Sequence, residues 1–95
     1  MTATTTAQAD LAFAVHTEVR NLGNMATSAL LDALCEMPDT DSARTHIEEA
    51  QTLVFRMLLA VDEAEAQRLP GMEPVKATVE KIERNVQRVH AKIEG

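Results

Sequence analysis

The most constraining feature of this chain is a run of β-branched residues near its C-terminus. Val75, Val79, Ile82, Val86, Val89 and Ile93 follow one another at steps of 4, 3, 4, 3 and 4. At 3.6 residues per turn, that spacing puts all six on one narrow stripe of a helix. A strand would need apolar residues at every second position, and the residues between the valines are largely charged. The 3.5-residue period is that of a coiled-coil-like seam. It predicts a helix over 75–94, with Pro74 supplying a rigid first turn.

The same reasoning extends upstream. Ala43, Ile47, Ala50, Val54, Met57, Val61 and Ala64 repeat at 4, 3, 4, 3, 4 and 3, which predicts a helix over 41–68. Asp39 and Asp41 stand where a carboxylate can accept from the free N–H groups of its first turn. In the first third, Leu11, Val15, Val19, Leu22, Ala26, Ala29 and Ala33 share a stripe. The bulkier Leu30, Leu31 and Leu34 centre roughly 100° away from it. The change of phase follows Asn21-Leu22-Gly23-Asn24, a stretch of poor helix formers. A helix over 7–37, continuous or slightly kinked at Gly23, is the expectation, with 1–6 as a flexible tail and Thr6 near the N-cap.

Breaks fall at Pro38 to Ser42 and at Leu69 to Pro74. Short connections make sequential helices antiparallel neighbours. The fold class expected is all-α: one domain, an elongated antiparallel three-helix arrangement. A surplus of apolar surface makes a dimer the further expectation.

A three-helix unit of 95 residues has one seam to hide, yet the sequence offers more. Phe55 and Leu59, an i,i+4 pair, lie about 100–140° from the main face of the second helix, and Leu53 and Ala60 flank its other side. With Leu30, Leu31 and Leu34 these exceed one seam. Each large apolar side chain left in water forgoes about 1.5–3 kcal/mol, and contiguous exposed patches mark interfaces. Leu30, Leu31, Leu34, Phe55 and Leu59 are therefore the candidate partner or dimer interface. A homodimer needs only one self-complementary patch. The plainer alternative is that all five are core.

Charge is unevenly divided. The chain carries a net −6. Residues 1–74 hold four basic and twelve acidic side chains, whereas residues 75–95 hold five basic and three acidic. Lys81, Arg84, Arg88 and Lys92 line one strip of the last helix. The strip reads as a docking site for nucleic acid or an acidic partner, or else as a solvated face or one attracted to acidic residues such as Glu48, Glu49, Asp62, Glu63 and Glu65. An acidic chain with two phenylalanines and no other aromatic residue lacks both the basic field and the stacking surface of a nucleic-acid binder, so no direct nucleic-acid binding is expected.

Chemistry is thinly represented. His46 with Glu49 gives one His-x-x-Glu pair, but a metal-holding bundle needs inward carboxylates on several helices. His16 and His90 read as surface or boundary residues. Cys35 has no base or orienting group beside it in sequence, and a lone cysteine behaves as a small hydrophobe. No phosphate loop, nucleophile elbow or metalloprotease motif is present. No catalytic residue, metal ligand or cofactor is assigned. The N-terminus has no basic segment or apolar run of the signal-peptide kind, and the longest apolar stretch, Leu53 to Val61, falls far short of the roughly 20 residues of a membrane span. The expectation is a cytoplasmic protein that does not engage a membrane.

Leu30-Leu31-Asp32-Ala33-Leu34-Cys35, followed by Ile47-Glu48-Glu49-Ala50-Gln51-Thr52-Leu53-Val54, resembles small bacterial helical-hairpin proteins. Over residues 10–65 the chain is also similar, in size and helical make-up, to antiactivators of LuxR-type quorum-sensing transcription regulators. The resemblance implies a regulator that binds a transcription regulator through helical apolar surfaces and uses no cofactor. Two further readings stay open: a phage or mobile-element inhibitor of a nucleic-acid-handling defence complex, acting through its acidic first two helices, and a purely structural homodimeric helical protein.

Overall fold

A computed structural model describes residues 6–95, and these form three α-helices: α1 (Thr6–Cys35), α2 (Thr40–Ala66) and α3 (Met72–Glu94). The architecture is the expected all-α, elongated antiparallel three-helix arrangement, measuring 57 × 18 × 15 Å. Of the tail expected over 1–6, residues 1–5 lie outside the described residues, and Thr6 already opens α1.

The helix ends follow from local chemistry. Asp39 caps α2: its carboxylate accepts from the Ser42 backbone N–H at 3.3 Å and from the Ser42 hydroxyl at 3.0 Å. These bonds favour the charged form and hold the Asp39 carboxyl below its ordinary value, the Ser42 backbone N–H being the largest cause. α1 stops at Cys35, two residues before its expected end, because Pro38 disfavours helical geometry in the residue before it. The chain turns there through Met37 N–H to Leu34 O and Asp39 N–H to Glu36 O contacts.

α2 ends in a Schellman motif. Leu69 N–H reaches Ala64 O and Arg68 N–H reaches Glu65 O, both at 3.0 Å. The motif needs a left-handed residue, and Arg68 takes it with φ 55°. Gly71, with φ 72°, makes the second left-handed turn and leads into α3. That helix starts at Met72 rather than at 75. Pro74 fits inside its first turn because the first four N–H groups of a helix have no intrahelical partner.

The core runs the length of the hairpin. α1 and α2 pack most extensively, and small side chains on both (Ala26, Ala29 and Ala33; Ala43, Ala50 and Ala64) let them approach closely. α3 lays Val75, Val79, Val86 and Val89 across them, with Ile82 and Ile93 partly buried. All six members of the valine and isoleucine seam therefore face the bundle. Gly23 does not break α1. It is buried inside the continuous helix, and a Cβ built there would lie 3.1 Å from Ile82 Cδ1 and 3.8 Å from Met57 Sδ. The glycine is the point where all three helices meet.

Two ties close the ends of the bundle. His16 Nε2 donates to Gly71 O at 3.1 Å, joining α1 to the α2–α3 turn. At the far end Arg44 of α2 holds Glu94 of α3 at 3.0 Å. Their hydrogen bond raises the Arg44 pKa above its ordinary value.

Candidate functional site

Among the described residues no three His, Cys, Asp or Glu side chains gather into a metal-holding group, and no helix is long and apolar enough to cross a membrane. His46 is half-buried and its Nδ1 is buried without a hydrogen-bond partner; nothing in the structure explains it. Cys35 is exposed at the end of α1. His16 is occupied by Gly71, and His90 lies 3.7 Å from Glu94. The remaining features are surfaces.

The expected interface set separates into two groups. Leu31, Leu34, Phe55 and Leu59 are exposed, at 57%, 40%, 61% and 53%. Leu30 is not: it is 7% exposed and belongs to the core. Leu53, expected to flank the second patch, is likewise core at 4%, and Ala60 is partly buried. The correction has one cause. α1 and α2 each touch two neighbours, so the buried arc of each is wider than a stripe drawn for a single seam. Leu30 closes one edge of that arc on α1, and Leu53 closes one on α2.

The four exposed side chains do not form one patch. Leu31 and Leu34 precede the α1–α2 turn by one to two helical turns, whereas Phe55 lies nearly five turns beyond it. In antiparallel helices this offsets Leu31 and Phe55 by about 15 Å along the bundle. Phe55 and Leu59 are one turn apart on α2 but border different neighbours. Phe55 edges the shallow groove between α2 and α3, beside Leu58, Glu83 and Gln87. Leu59 stands over the α1–α2 side, beside Glu18, Arg56 and Glu63.

The structure adds apolar residues that periodicity assigns differently or passes over. Leu11, drawn into the α1 stripe, is half-exposed, and its neighbour Ala12 is buried in its place. Phe13 stands out at 71% exposure, and Met25 is also exposed. Phe13 lies 18 residues before Leu31, five whole turns, so both lie on one line of α1. That relation is present in the sequence as an i,i+18 spacing, but the intervening polar residues hide it.

Phe13 forms one wall of a groove of about 630 Å³ running between α1 and α3. Val19, Gly23, Val75 and Ile82 contribute apolar lining, and Thr17, Asn24, Thr27 and Thr78 contribute polar rim. Arg20 is its one charged lining side chain, and none of the described Asp or Glu residues lines it. The groove exists because α1 and α3 are the least intimately packed pair and glycine rather than a larger residue occupies position 23.

The cations divide by position. Lys76 of α3, on the side towards α2, pairs with Glu65 at 3.5 Å, and Arg44 of α2 pairs with Glu94 of α3 at 3.0 Å. Arg20, Lys81, Arg84, Arg88 and Lys92 enter no ion pair with the described residues. The acidic side chains of α2 therefore do not neutralise the basic strip of α3. Compared with protein-family models, curated proteins and solved structures, the chain matches none of them.

Proposed function

We propose that this protein is a small regulator that binds another protein and sequesters or inhibits it, with Leu31, Leu34, Phe55 and Leu59 as apolar anchors. The observation that carries the reading is the exposure of these large side chains on a molecule whose core is already closed by other residues. Ordered apolar groups held in water on rigid helices are the usual mark of a binding surface. The acidic residues around Phe55 and Leu59, among them Glu48, Asp62 and Glu63, supply selectivity by repelling acidic surfaces. A transcription regulator of the quorum-sensing type is the partner that the sequence resemblance implies, which makes antiactivation the first activity to assay. The part of α2 that carries Phe55 and Leu59 is also the proposed seam of a homodimer.

The test is the double substitution of Phe55 and Leu59 by Ser. Both side chains are exposed, so the helical fold persists, as circular dichroism will show. Mass in solution and repression of a LuxR-type reporter are then measured. Loss of either supports the reading; a folded variant unchanged in both removes it.

A further inference from the structure

The α1–α3 groove and the basic strip of α3 belong to one surface. Two contacts fix the register of these parallel helices: His16 meets Gly71, and Gly23 lies against Ile82. Continuing that register by turns places Leu31 and Leu34 of α1 level with the last two turns of α3, where Arg88 and Lys92 stand. Thr78 and Ile82 line the groove directly, and Lys81, Arg88 and Lys92 follow on the neighbouring outward line of α3 at 100° per residue. Phe13, Leu31 and Leu34 are exposed apolar contacts along this surface. Arg20, Lys81, Arg88 and Lys92 are its cations without an ion pair among the described residues.

We propose that this surface receives an acidic amphipathic helix of another protein, lying along α1 and α3. The proposal rests on the protein-binding reading above; it assigns Leu31 and Leu34 to a face apart from that of Phe55 and Leu59 and names the chemistry of its partner. From Phe13 to Thr27 the groove runs about 20 Å along α1, a shape that suits a helix rather than a compact ligand. Its charge is opposite to that of the chain as a whole, which is −6, so it selects acidic segments from among possible partners. A two-fold contact of this surface with a second copy would set the four cations against one another, which disfavours the homodimer here. Nucleic acid is disfavoured by the apolar floor and by the surrounding net negative charge.

The probe is a labelled 20-residue amphipathic helix with leucines at i, i+3, i+4 spacing and glutamates elsewhere, followed by fluorescence anisotropy. Its controls are the same peptide with lysines for glutamates and a labelled 20-base-pair DNA duplex. The acidic peptide should bind, and more weakly as salt rises from about 0.05 to 0.5 M. R20E/K81E should lower its affinity at least tenfold, Phe13→Ser should lower it as well, and F55S/L59S should leave it unchanged. All these side chains are exposed, and circular dichroism confirms that each variant is folded.

Absence of acidic-peptide binding overturns the proposal, as does equal binding of the lysine peptide or of the duplex. Binding that survives R20E/K81E but is lost in F55S/L59S overturns the groove while leaving the regulator reading intact. Self-association of the unmodified chain that is lost in R20E/K81E assigns the surface to a second copy and also overturns it. Acidic-peptide binding with the expected variant pattern stands even if F55S/L59S leaves mass and reporter repression unchanged.

Discussion

Arg68 carries a backbone conformation that glycine adopts without strain. The Schellman motif at the end of α2 demands φ near +55°, where a Cβ crowds the following carbonyl at about 1–2 kcal/mol. Arg68→Gly relieves that crowding but adds freedom to the unfolded chain. A net gain of about 0.5–1 kcal/mol is expected, read as a higher midpoint in urea unfolding with an unchanged slope. Asp39 sits at the other end of the same helix. Its carboxylate bonds to Ser42 lower its pKa in the folded state. A depressed folded-state pKa gives a stability contribution that is present above the unfolded value of 3.8 and lost as pH falls through the folded one. The thermal midpoint of the unmodified chain should therefore fall below about pH 4, and the share of that fall due to Asp39 should be missing in Asp39→Asn. The asparagine variant keeps a capping oxygen, so it isolates the charge from the cap.

Gly23 and the helices around it set the next scale. A glycine inside a helix costs about 1 kcal/mol relative to alanine, and here Ile82 Cδ1 stands 3.1 Å from where an alanine methyl would sit. That atom is the far end of a flexible, partly buried side chain, so Gly23→Ala should be near neutral in thermal unfolding. Gly23→Val, with two further carbons and a stiff χ1, should cost about 1–3 kcal/mol by forcing α3 away from α1. Met57 fills the same junction from α2 and is fully buried. Met57→Ala leaves a cavity where three helices meet, and a loss of about 2–5 kcal/mol is expected by denaturant titration. The helices themselves are legible from periodicity: α3 through its six β-branched residues, and α2 through its seven-residue stripe. Their ends are legible to within three residues. The start of α3 escapes the sequence because Pro74 reads as a breaker, whereas a proline within the first free-N–H turn is tolerated.

For the whole molecule, length along one axis is the governing property. A bundle 57 Å long and 18 × 15 Å across has a thin core and much surface per residue, so apolar residues beyond the seam have nowhere to go within the chain. F55S/L59S should accordingly leave the stability of the isolated protomer within about 0.5 kcal/mol, as for surface substitutions away from structural features, while changing association measured by light scattering. The candidate surface is half legible. Leu31, Leu34, Phe55 and Leu59 stand out from phase alone, because each lies well off its helix's main stripe. Leu30 is misassigned by the same reasoning, since a 40° step from Leu34 straddles the boundary of the buried arc, and phase does not show how wide that arc is. Phe13 escapes notice for want of near neighbours on its line.

The sequence by itself determined the class, the number of helices and their apolar stripes, because helical periodicity is a property of residues close along the chain. Only the tertiary structure decided which edges of those stripes are covered, since that depends on how many neighbours each helix touches. It also decided that α1 runs unbroken through Gly23, a consequence of Ile82 and Met57 filling the space beside it. And it alone joined the basic strip of α3 to Phe13, Leu31 and Leu34 of α1, distant along the chain, through the parallel register that Gly23 and His16 set.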